Sequence, residues 1–175
     1  MGMKGTRIQV SHPGGAAKGI YKEGLIATGQ TPKPGTVMEM TATAAVSSFF
    51  YWTPYGVTAA SGGNFVTADG DRKLIAILLE NYKEGKTYDD AYAAGDMCYL
   101  YIPVAGEEFN MILQNQSGTG DTFTLGQELM VDDGTGKLLA CDSDAEAHPF
   151  HIMEAVTTAL TADAHNWVMF RGHGA

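Results

Sequence analysis

The sequence predicts an all-β protein: a small β-barrel, β-tulip-like or sandwich body carrying an extended, glycine-rich N-terminal arm. Three observations lead there. Between residues 95 and 139, short apolar runs are punctuated by turn residues at 103–106, 117–120, 126 and 132–136, the spacing of short strands in a barrel or sandwich. Within those runs the period is two: Phe109, Met111 and Leu113 alternate with Asn110, Ile112 and Gln114. The chain also holds 22 glycines among 175 residues, a composition suited to many tight turns.

Taken in order, residues 1–36 do not read as a domain. Gly2, Gly5, Gly14, Gly15, Gly19, Gly24, Gly29 and Gly35 break every helix, and Pro13, Pro32 and Pro34 add stiff points. Only 8–10 and 25–27 suit short strands. Ile8, Val10, Ile20, Tyr21, Leu25 and Ile26 would be wasted on solvent, so the segment is expected to be an arm that orders on a neighbouring surface. The competing reading is a ragged edge of the same domain.

Residues 37–175 are expected to form one barrel-like domain. Residues 37–40 suit a strand. Phe49, Phe50, Tyr51 and Trp52, followed by Pro54 and Tyr55, form an aromatic run that one strand buries only if both faces are covered. Core packing explains it, and so does an interface with Phe50, Trp52 and Tyr55 as anchors. The run 74–79 (LIAILL) is continuously apolar; a buried strand is favoured over a short helix. Residues 87–94 suit one helical turn, 97–102 a strand covered on both faces, 150–159 a strand with helix as competitor, and 166–171 a final strand.

Charge and motifs exclude more than they assign. A formal net charge of −9, with 11 basic against 20 acidic residues, argues against nucleic acid or an anionic membrane as partner. No stretch has the roughly 20 apolar residues of a transmembrane helix, and the first residues lack the apolar core of a signal peptide. Cys98 and Cys141 make neither a zinc pattern nor a redox pair, and their spacing requires no disulfide. Among the five histidines, His148 and His151 lie near Asp142, Asp144 and Glu146 but lack a ligand spacing, so no metal is expected. Residues 132–137 (DDGTGK) lack the ligand pattern of a calcium loop and read as a hairpin turn. Ser117 is outside any nucleophile elbow, and neither Gly-Thr-Gly has the context of a phosphate loop. The reading is therefore a non-enzyme without cofactor.

The order Ala94-Gly95-Asp96, strand at 97–102, turn at 103–106, strand at 108–113, strand at 124–131, the Asp133-Gly134-Thr135-Gly136-Lys137-Leu138 turn, and a closing strand at 167–172 resembles the small head-decoration proteins of tailed bacteriophages. The resemblance covers about residues 95–172. It implies a small β-barrel that coats the outside of the capsid, with the major capsid protein as partner, as trimers at local three-fold positions. It also implies an N-terminal arm lying on neighbours, synthesis in the host cytoplasm and residence on the virion surface. Residues 49–52 and 74–79 have no place in that pattern. A tail-tube or fibre-base protein stays open, as does a β-barrel carbohydrate-binding module using Trp52, Tyr55 or Trp167 as stacking platforms.

Overall fold

The structure is a computed structural model that describes residues 19–44, 49–56, 74–115, 121–141 and 149–172. The described residues hold ten strands and a single 3-10 turn, Tyr82–Glu84. The strands are β1 (Ile20–Ile26), β2 (Val37–Ala44), β3 (Phe50–Pro54), β4 (Ile75–Leu78), β5 (Met97–Ile102), β6 (Glu108–Leu113), β7 (Glu128–Val131), β8 (Leu138–Ala140), β9 (Phe150–Ile152) and β10 (Ala164–Phe170). They close into two barrels, in the order β1-β3-β2-β4-β5 and β10-β6-β8-β7-β9.

The all-β expectation holds, but the body is two barrels rather than one. The segment expected to be an arm also contributes to it. From Ile20 to Leu25, β1 pairs antiparallel with β5, and at Leu25 and Ile26 it pairs parallel with β3. Arm residues Ile20, Tyr21, Leu25 and Ile26 are therefore barrel residues; residues 1–18, with Ile8 and Val10, lie outside the described residues. The sequence hid β1 because its seven residues, IYKEGLI, alternate poorly. Its glycine is demanded by packing: a Cβ on Gly24 would sit 2.4 Å from the Trp52 ring.

Strand β4 shows why 74–79 is apolar throughout. Ala76 and Leu78 join Ile26, Met38, Trp52, Cys98 and Leu100 in one buried cluster, formed by side chains from all five strands of barrel 1. Ile75 and Ile77 point the other way and join Tyr101, Phe109, Leu138, Phe150 and Phe170 in a second cluster shared by the two barrels. A strand walled by core on both sides cannot alternate. Strand β5 divides in the same manner, with Cys98 and Leu100 facing one cluster and Tyr101 the other.

The barrels are joined by backbone. The β7–β8 hairpin pairs antiparallel, as its Asp-Gly signal predicts. Its tip docks on the first barrel: the Val37 N–H donates to Gly136 O at 2.8 Å, and the Gly134 N–H donates to Tyr55 O at 2.8 Å. The Tyr55 N–H donates to Val37 O at 3.0 Å and completes the joint. Elsewhere the segment 87–94 forms turns rather than a helical turn, and the strand expected over 150–159 ends at Ile152. Both cysteines are free; burial foremost pushes the Cys98 thiol up to about 12, so it is an inert core residue.

Candidate interaction surface

Strand direction places one end of each barrel-1 strand together. Ile20 begins β1 opposite Ile102 at the end of β5. Phe50 begins β3, and Leu74 immediately precedes β4. Met38 pairs with both Ala76 and Pro54, which brings the far half of β2, with Met40, to the same end. Met40, Phe50, Leu74 and Ile102 each lie two positions from a member of the barrel-1 cluster, and Ile20 lies an even number of positions from Ile26, so by alternation they share its inward-facing side. Ile20, Met40, Phe50, Leu74 and Ile102 therefore ring the mouth of barrel 1. Ile20 is 56% exposed, Phe50 51%, Leu74 42% and Met40 38%. Tyr21, 66% exposed, stands on the outer side of β1, its ring edge-on to Tyr101. Apolar groups of this size left in water at one end of a closed barrel contribute nothing to its core and mark a contact surface.

Of the residues the sequence singled out for an interface, Ile20, Tyr21 and Phe50 stand at this end. Leu25 is half-buried, while Ile26, Trp52 and Tyr55 are core residues. Sequence reasoning missed Met40, Leu74 and Ile102, each of which looks like an ordinary strand residue until register fixes which end of the strand it occupies.

The chain's entry into β1 is pinned. The Gly19 N–H donates to the Tyr101 hydroxyl at 2.8 Å and to Glu107 Oε1 at 3.2 Å. The Tyr101 hydroxyl donates to the same carboxylate, whose other oxygen accepts from the Val104 N–H at 2.9 Å. Burial foremost, then this acceptor, pushes the Tyr101 hydroxyl well above the usual phenol range, so it stays protonated and keeps donating. Glu107 is only 3% exposed, and the network answers its need for donors.

A second feature is a cleft of about 310 Å3 between the barrels, lined among others by Lys33, Asp89, Thr135, Lys137, Asp163 and His165. Its charges are matched: Lys33 meets Asp89 at 2.7 Å and Lys137 meets Asp163 at 2.6 Å. Burial alone would raise the Asp163 carboxyl, but the Lys137 ammonium and the Asn115 N–H outweigh it and hold the group low. His165 Nε2 lies 3.1 Å from Pro34 O. Burial pushes its imidazole below the ordinary value, against the opposing effect of that hydrogen bond. Neutral His165 donates from Nε2, and the arrangement ties β10 to the loop ahead of β2. No group of three or more metal-ligating side chains occurs among the described residues.

A pH dependence follows. The unfolded histidine titrates near 6.5, above the folded value, so below about pH 6.5 the unfolded chain binds the extra proton. The stability that neutral His165 preserves is complete above that pH and is lost as pH falls toward the folded value. The urea midpoint is expected to drop between pH 7.5 and 5.5, and to drop less in His165→Gln, which can still donate to Pro34 O. Asp163, whose folded value is depressed, acts in a lower window: its contribution is present above about 3.9 and is lost below it.

No family model matches this sequence, and no curated protein does. Among solved structures, the N base of the head fibre protein gp8.5 of bacteriophage phi29 superposes with a TM-score of 0.44 at 7% identity, over 85% of this chain and 93% of that one.

Proposed function

We propose that this protein is a structural component of a tailed-bacteriophage virion, one that attaches to the outside of the capsid and stabilises contacts between major capsid protein subunits. The observation that carries the reading is the apolar end of barrel 1, where Ile20, Tyr21, Met40, Phe50 and Leu74 stand in water. The resemblance over residues 95–172 supplies the class of partner, and the strand-and-turn order behind it is the order of β5 to β10. Such a protein acts by burying area against its neighbours. Several copies on one shell, as trimers, would multiply weak contacts. A rigid body suits this work, because a pre-formed surface loses little entropy when it docks.

The carbohydrate-binding alternative loses two of its three platforms, since Trp52 is 2% exposed and Tyr55 fully buried. The test is co-sedimentation of the full chain with empty phage shells. Binding that falls at least tenfold in Phe50→Glu, with unchanged thermal unfolding, supports the reading. Absence of shell binding by the full chain ends it. A deletion that examines the arm should stop at residue 18, since removing residues 1–30 would take out β1.

A further inference from the structure

The two barrels follow one plan. In barrel 1, β1 runs parallel to β3 and antiparallel to β5, β2 pairs with β3 and β4, and β4 pairs with β5. In barrel 2, β6 to β10 repeat those pairings in the same order, with β6 parallel to β8. The register agrees to the residue. The Ala27 N–H donates to Trp52 O and the Gln114 N–H to Leu138 O, each at 2.8 Å. The N–H of Gly35, at φ +89°, donates to Leu78 O at 2.8 Å, and that of Gly126, at φ +79°, to Ile152 O at 2.9 Å. The Leu79 N–H donates to Tyr99 O and the Met153 N–H to Trp167 O, each at 2.8 Å. Counting along the chain from these bonds, Ile20 matches Glu107, Met40 matches Val131, Ile102 matches Phe170, Pro34 matches Leu125 and Leu79 matches Met153.

The joint inside the chain uses a different part of each barrel. Barrel 2 contributes its mouth: Val131 and Phe170 are buried in the cluster to which barrel 1 supplies Val37, Ile75, Ile77 and Tyr101. Barrel 1 contributes its wall: Leu79 packs against the same cluster, and Pro34 is buried with His165 of barrel 2 at its carbonyl. Each half has a counterpart that the joint leaves in water. One is the mouth of barrel 1, with Ile20, Met40, Phe50 and Leu74. The other is the wall of barrel 2, where Leu125 is 68% exposed and Met153 36%, in the places that Pro34 and Leu79 hold on the covered wall. Apart from Tyr21 and Tyr82, every large hydrophobic side chain exposed among the described residues lies on one of these two surfaces.

We propose that a second copy of this chain joins them: the mouth of barrel 1 in one copy docks head to tail on the Leu125 and Met153 wall of barrel 2 in the next, as barrel 2 docks on barrel 1 within the chain. Such a contact is heterologous and closes into a ring when its rotation allows. Lys22 stands where barrel 2 has Phe109, and Glu128 stands where barrel 1 has Val37, both members of the shared cluster. The two replacements carry opposite charges, so the contact between copies stays complementary where the fused one is apolar. Phe50 stands where Gly136 closely approaches Val37 O, so copies meet less tightly than the fused barrels do. The contact needs no capsid. On a shell it would hold the trimers together, and Phe50→Glu would weaken shell binding by dispersing them.

Mixing variants tests the head-to-tail geometry. The full chain, Phe50→Glu with a damaged mouth and Leu125→Glu with a damaged wall are compared by sedimentation velocity over a range of concentrations, without shells, with thermal unfolding checking the fold. The wild type is expected to self-associate, and each variant to do so at least tenfold more weakly. An equimolar mixture of the two variants should recover one contact, intact mouth on intact wall, and stop at a dimer holding one chain of each. A wild type that is monomeric at every concentration overturns the proposal and leaves the virion reading to the shell experiment. Association that neither variant weakens, or a mixture that stays monomeric, overturns it as well. Association lost in Phe50→Glu but kept in Leu125→Glu means that mouth meets mouth, and the head-to-tail contact falls. If a variant unfolds, Leu74→Glu replaces the first and Met153→Glu the second.

Discussion

Replacing Gly136 with alanine is expected to cost about 3 kcal/mol or more of folding stability, among the larger effects available to a single methyl group. Two causes combine. Gly136 has φ +66°, a left-handed conformation that an L side chain adopts at a cost. Its Cβ would also lie 2.2 Å from Val37 O, 2.8 Å from Thr36 Cγ2 and 3.1 Å from the Tyr55 nitrogen. Two of those three atoms belong to backbone that is hydrogen-bonded within the joint between the barrels, so no rotamer change relieves the clash. Relief requires the hairpin tip to lift, which surrenders the bonds from Val37 to Gly136 and from Gly134 to Tyr55. Gly134→Ala is the control: its φ is +94°, but nothing lies within 4 Å of the added carbon, so only the conformational cost of about 1–2 kcal/mol is expected. Urea denaturation of the two variants decides the matter. Equal losses would mean that the barrels are not held by this contact, and a second transition appearing in Gly136→Ala would mean that they unfold separately once it is broken.

The strands were legible where one physical signal acted alone. Residues 108–113 have the apolar period of a strand, 166–171 are an apolar run of strand length, and the glycine and aspartate turn at 132–136 fixed a hairpin with its φ-positive residues in place. The apolar run at 74–79 was recognisable as buried, and its two-sided core explains the missing alternation. What stayed hidden depends on partners distant in sequence. Strand β1 looks like linker because Lys22 and Glu23 are exposed and Gly24 is dictated by the Trp52 ring; nothing local says so. The second barrel was invisible for a related reason: short turns at regular spacing describe one barrel or two equally well, and closure is decided by the pairings β10 with β6 and β7 with β9. The surface was half legible. Ile20 and Tyr21 were found as apolar residues that a glycine-rich leader cannot bury, and Phe50 as one that a single strand cannot; the latter question also named Trp52 and Tyr55, which the two core clusters swallow.

Trp52→Ala should cost about 3–5 kcal/mol, because the indole is 2% exposed and is the largest side chain in a barrel-1 cluster otherwise built from Ile26, Met38, Ala76, Leu78, Tyr92, Cys98 and Leu100. Ile26, Met38, Ala76, Leu78, Cys98 and Leu100 sit on strands of a closed barrel, which limits their collapse into the space. The more discriminating experiment pairs this change with Gly24→Ala. In the wild-type background the Gly24 Cβ would come within 2.4 Å of Trp52 Cδ1 and 2.6 Å of its Nε1, so alanine there displaces the indole and is expected to cost about 2 kcal/mol. Once the indole is gone, the same methyl enters the vacated volume, and the Phe50 carbonyl at 3.1 Å is a contact that a small shift absorbs. The double variant should therefore be about 1–3 kcal/mol more stable than the sum of the two losses predicts. That coupling has a direct reading in the fold: β1 closes on β3 because a glycine lets its backbone pass flat against the indole. Strict additivity would mean that β1 is held by its ladder with β5 alone and that the barrel closes without this contact.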